Sequence, residues 1–88
     1  MSNNFNSELI TTENEIKQHR AACFRSIQEA VGGWVETLYL GHDHVMLINE
    51  EGVLLGAPVN ATASIIAGTA IYGNVILMNI SAFDALEY

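Results

Sequence analysis

Residues 45–60, VMLINEEGVLLGAPVN, constrain what this chain can fold into more than any other stretch. The apolar segment 45–48 has no polar alternation, so it reads as a strand covered on both faces. Asn49-Glu50-Glu51-Gly52 follows as a turn, with an Asn able to bond its own backbone and a Gly that tolerates positive φ. Val53-Leu54-Leu55 then reads as the returning hairpin partner. Gly56-Ala57-Pro58-Val59 leaves the sheet, because proline has no amide to give a ladder. Asn60 is a good N-cap, which predicts a two-turn helix over Ala61–Ala67 closed by Gly68.

The flanking segments read less sharply. Residues 1–11 are polar and predict a flexible arm. Thr12-Glu13-Asn14-Glu15 matches a capping box, in which the hydroxyl accepts from the first turn and the Glu reaches back. Ile16, Cys23, Ile27, Ala30 and Val31 then recur at helical spacing, with Phe24 widening the stripe and Arg20 interrupting it. Gly32-Gly33 ends this helix of about five turns. Residues 34–40 alternate as a strand, 41–44 form a turn, and 71–78 form a last strand with a bulge at Gly73-Asn74. The tail 79–88 is weakly patterned; Phe83, Leu86 and Tyr88 are its candidates for packing or oligomer contacts. The expected fold is a single α+β domain over 12–78. One long N-terminal helix packs on a small, mainly antiparallel sheet of three to four strands, with a short second helix before the last strand.

Composition narrows the function classes. An 88-residue chain that is 50% hydrophobic has more apolar surface than one small core hides. A homo-oligomer absorbs the excess. Lys17, Arg20 and Arg25 are the only Lys or Arg residues, and the net charge is -7. That balance argues against nucleic acid, whose phosphates demand cationic side chains, and against an anionic membrane surface. No apolar run approaches the ~20 residues of a membrane span. The amino terminus lacks the basic-then-apolar pattern of a secretory signal, so the expected compartment is the cytoplasm. Cys23 is the single cysteine and reads as a small buried hydrophobe.

Candidate chemistry is sparse. His42-Asp43-His44 could place two imidazoles on one side of an ion, but lacks a full ligand set and reads as a solvated turn. Glu50-Glu51 reads as a solvated acidic tip rather than an acid–base pair. Glu36 shares a strand face with Trp34 and Leu38, where it either pairs with Arg20 or Arg25 or serves as a ligand-binding carboxylate. The strongest candidate is the corner from Gly56 to Asn60. It delivers the chain to a helix N-terminus, where free amides suit a phosphate without any basic residue. Gly56 and Ala57 allow close approach, and Asn60, Thr62 and Ser64 add polar groups. No nucleophile–base pair, metal set or cofactor motif accompanies it, so an enzyme is not expected.

The run 26–78, SIQEAVGGWVETLYL, VMLINEEGVLLGAPVNATASIIAG and AIYGNVILM, resembles a family of small uncharacterised proteins of bacteriophages, plasmids and some bacteria. The matching positions are Gly32, Gly33, Trp34, Glu36, Asn49, Glu50, Gly52, Gly56, Pro58, Asn60, Gly68 and Gly73. The family pattern includes a leading strand before the helix, where this chain is polar, and a second proline where this chain has Val59. The resemblance implies a fold and a phage-like origin, and no activity. Two functions fit. The first is a phage-type accessory oligomer that binds or sequesters a small anionic ligand, such as a nucleotide immune signal, in counter-defence. Its pockets, at subunit interfaces, would be lined by the corner with Arg20, Arg25, Trp34 or Tyr72. The second is an acidic interaction module that binds and inhibits a host protein through Glu50, Glu51, Asp84 and Glu87.

Overall fold

The computed structural model describes residues 5–88. Its centre is one antiparallel sheet of five strands: β1 (Ser7–Ile10), β2 (Ile16–His19), β3 (Val35–Leu40), β4 (His44–Asn49) and β5 (Val75–Asn79). They lie in the order β2-β1-β5-β4-β3. Three short helices accompany them: α1 (Phe24–Val31), α2 (Ala61–Ala67) and α3 (Ile80–Asp84). The expected long N-terminal helix on a sheet of three to four strands is therefore overturned. The domain is dominated by its sheet.

The reason lies in residues 7–23. The Thr11 hydroxyl accepts from the amides of Glu13 at 3.3 Å and Glu15 at 3.2 Å, as a helix cap would. Here Thr11 N–H also donates to Glu15 O at 2.9 Å, and Asn14 takes a left-handed φ of 65°. The segment is thus the tight turn between β1 and β2. Replacing Thr11, which is buried, with Val should cost about 1–2 kcal/mol by orphaning those amides, readable as a lower Tm. β1 falls within the segment 1–11 expected as an arm; residues 1–4 lie outside the described residues. Its polarity hid it, yet Asn6 is part of the pairing. Asn6 Nδ2 donates to Ala21 O and Asn6 Oδ1 accepts from Ala21 N, both at 2.8 Å, as a neighbouring peptide would. Helix α1 starts only at Phe24. Its N-cap Cys23 makes no side-chain cap, and the amides of Phe24 and Arg25 donate instead to the carbonyls of Glu87 (2.7 Å) and Tyr88 (3.4 Å). The tail thereby satisfies a helix start that would otherwise be orphaned.

The expected hairpin between 45–48 and 53–55 is also absent. β4 is paired with β3 on one side and β5 on the other, so no edge is left for residues 53–55. Residues 50–56 wind through successive turns, held by Leu55 N–H to Glu51 O at 2.9 Å and Ala57 N–H to Gly52 O at 3.0 Å. The hairpin partner of β4 is β3, across a turn in which His42 and Asp43 both have positive φ (62° and 63°). Two consecutive left-handed residues give the turn that matches strand twist. β5 is shorter than expected, and Tyr72 ahead of it bridges to Val59.

Strand alternation sends side chains into two cores. Val45, Leu47, Ile76 and Met78 pack with Ile27 and Val31 of α1 on one face, joined by Phe83 and Leu86 from the C-terminal end. Ile10, Met46 and Val75 pack with Ala63 of α2 and Ile71 on the other. At the β1–β2 edge, the Ser7 hydroxyl lies 3.0 Å from His19 Nδ1. Burial lowers the His19 pKa from its ordinary 6.5, because the charged ring loses water. The sign follows from proton binding. The unfolded chain binds the proton more readily, so this contribution to stability is present above 6.5 and is lost as pH falls through the lowered folded value. Tm should fall on acidification over this range, and His19→Gln should flatten that slope.

Candidate functional site

The corner is built around Asn60, which is wholly buried. Its Oδ1 accepts from Ala63 N at 3.0 Å, capping α2. Its Nδ2 donates to Ile10 O at 3.0 Å and Gly73 O at 2.9 Å. One side chain thus ties the helix start, the end of β1 and the approach to β5. Ser64 Oγ accepts from Ile71 N at 2.8 Å, and Thr62 Oγ1 donates to Asn14 Oδ1 at 3.1 Å. Pro58 O accepts from Gly73 N at 2.8 Å, and Ala57 Cβ lies 3.5 Å from where a Cβ on Gly73 would stand. Gly56 is exposed with φ 70°. The side chains of Asn60, Thr62 and Ser64, which sequence reading offered to an anion, hydrogen-bond within the domain.

The structure does not gather the remaining predicted residues around this corner. Arg25 belongs to α1, on the opposite face of the sheet, where its guanidinium lies 5.8 Å from the centre of the Tyr88 ring. Arg20 follows β2 at the end paired with Ser7, about 13 Å along the strand from the Ile10 level where Asn60 bonds. Trp34 is exposed just before β3, and its carbonyl accepts from Glu50 N at 2.9 Å. Of the residues expected to join the corner in a pocket, Tyr72 lines a cleft beside it, together with Glu36, the candidate ligand-binding carboxylate.

That cleft, of about 270 Å³, lies at the end of the α2 face. Its floor is Glu36, Leu38 and Ile48 of the sheet; Glu50 and Val53 form one wall, and Ile71 and Tyr72 the other. Gly52 lets the walls meet, since a Cβ there would lie 3.1 Å from the Tyr72 carbonyl oxygen. The expected pairing of Glu36 with Arg20 or Arg25 does not form. Glu36 is exposed on the face away from α1, and the ion pair present among the described residues joins Lys17 to Glu15 at 3.3 Å. Next to the cleft wall, Val53, Leu54 and Leu55 stand in solvent at 68%, 83% and 64% exposure. Sequence reading placed these in a strand. Nothing in residues 45–55 shows that both edges of β4 are taken; that is decided by β3 and β5.

Reactive groups offer little. Cys23 is half-buried at the start of α1, not on its inner face, and its thiol pKa is lowered chiefly by the Ser26 hydroxyl 3.6 Å away. His44 Nδ1 lies 2.8 Å from His42 O, and no group of three metal-ligating side chains comes together among the described residues. No helix among the described residues is long and apolar enough to cross a membrane.

A five-stranded antiparallel sheet with three short helices and an acidic, apolar-floored cleft defines the class: a small, sheet-based α+β domain. The chain belongs to a family described as a domain of unknown function (DUF3846), whose model matches residues 7–85. No curated protein and no solved structure matches it.

Proposed function

We propose that this domain is a non-enzymatic interaction module that binds a partner protein through residues 50–55. One observation carries the reading: three consecutive apolar side chains, Val53, Leu54 and Leu55, are held in solvent by a hydrogen-bonded loop. Exposed apolar clusters of this kind mark contact surfaces. Glu50 and Glu51 precede them and Glu36 lies across the adjacent cleft, so the partner presents a basic rim around an apolar centre. The chain's own Lys and Arg residues all precede residue 26, and Arg25 lies on the opposite face. Charge therefore favours a different protein over a second copy at this loop. The phage and plasmid resemblance suggests a setting in which such a module binds and blocks a host protein.

The test is capture from a bacterial extract with wild-type protein and Leu54→Asp side by side. One protein retained stoichiometrically by the wild type and lost by the variant supports the reading. Equal retention by both, or no partner together with a thermal shift by a nucleotide, overturns it in favour of another surface or a small ligand.

A further inference from the structure

We propose that the outer edge of β3 is a homodimer interface, in which two copies pair antiparallel about Thr37 and join their sheets into one. β3 ends the strand order and is hydrogen-bonded to β4 alone. Because Trp34 O accepts from Glu50 N on the β4 side, the even-numbered residues of β3 bond inward. Val35, Thr37 and Tyr39 thus present their N–H and C=O groups outward. Proteins usually blunt such an edge with lysine, proline, a bulge or brevity. The opposite edge, β2, has four residues and includes Lys17. β3 has six residues, VETLYL, with no lysine, proline or bulge and Glu36 as its one charge, and Tyr39 and the preceding Trp34 are 65% and 66% exposed.

The register argues for a second copy as the occupant. Centred on Thr37, the pairing sets Thr37 against its counterpart, Val35 against Tyr39, Glu36 against Leu38 and Trp34 against Leu40. Hydroxyl pairs and aromatic–β-branched pairs are favourable cross-strand neighbours. A one-residue slip sets outward-bonding residues against inward-bonding ones and loses the ladder. Slipping two residues toward the amino end sets Glu36 against Glu36. Slipping two the other way runs Val35 against Gly41, in the turn. The centred register alone uses the whole strand without opposing like charges. This interface does not involve residues 53–55.

Two measurements test it on the full chain. Sedimentation across the micromolar range should show a monomer–dimer equilibrium, which Thr37→Lys weakens by about tenfold while leaving the circular dichroism spectrum unchanged. In a Cys23→Ser background, Thr37→Cys should form a disulfide dimer under mild oxidation, since opposed Cα atoms stand about 5.5 Å apart. Tyr39→Cys should not, because its counterpart lies about 13 Å along the strand. A wild type that stays monomeric overturns the proposal, including in favour of a foreign strand at this edge. So does a dimer indifferent to Thr37→Lys, or equal cross-linking through both cysteines.

Discussion

Asn60→Ala is expected to lower the stability of the domain by about 3–5 kcal/mol, far beyond the loss of a helix cap. A cap alone accounts for about 0.5–2 kcal/mol. The remainder comes from Ile10 O and Gly73 O, which Asn60 Nδ2 serves at 3.0 and 2.9 Å inside a site with no solvent exposure. Each buried group deprived of its partner costs about 1–3 kcal/mol. Set against a total of about 5–15 kcal/mol for a small domain, the variant should be partly unfolded at 37 °C. Asn60→Asp separates the contributions. It keeps the acceptor for Ala63 N but loses both donors and turns a carboxylate toward two carbonyls, so it should be no better than Ala at neutral pH. Denaturant midpoints measure both. A loss below about 1 kcal/mol for Asn60→Ala would mean that the site admits water in place of the amide, and that the three Asn60 hydrogen bonds do not hold the domain together.

Leu54→Asp carries the second large effect, on binding instead of folding. At 83% exposure Leu54 contributes little to the core, and stability should stay within about 0.5 kcal/mol of wild type. Central apolar anchors of an interface cost about 2 kcal/mol or more when truncated, so affinity for the captured partner should fall about thirtyfold or further. Glu50→Gln and Glu51→Gln should act differently. Rim charges govern encounter, so these variants should slow association and reduce its dependence on salt while leaving dissociation nearly unchanged. Kinetic binding measurements at two ionic strengths resolve the two behaviours. Unchanged affinity for Leu54→Asp would remove the loop from the interface.

Much of the chain after residue 33 was legible. The alternation of 34–40, the apolar run of 45–48, the Asn60 cap and the Gly68 stop all describe local physics that the fold retains. The part before it was not. The cap was read on Thr12, but it is the Thr11 hydroxyl that takes the amides of Glu13 and Glu15, the same chemistry serving a helix cap and the β1–β2 turn, and nothing local distinguishes them. The decision falls to Ile10, which pairs with Val75 across most of the chain. The corner was legible as a cap and not as a knot, because its other two partners, Ile10 and Gly73, come from distant segments. Likewise the exposure of 53–55 depends on β5 occupying the side of β4 that those residues would otherwise have taken.

The strand order has a consequence for how the chain is made. β5, the last strand in chain order, is inserted between β1 and β4, so the β1–β2 and β3–β4 hairpins have no direct contact through the sheet until it arrives. During synthesis both hairpins emerge early and wait, each with an unpaired edge, and a lone hairpin is marginal in water. Folding then awaits the emergence of β5 and proceeds as a late, non-local event, slow for the size of the domain. Truncation before Val75 should leave no partly functional remnant, and any nascent partner that binds β1 or β4 first competes directly with the domain's own closing strand.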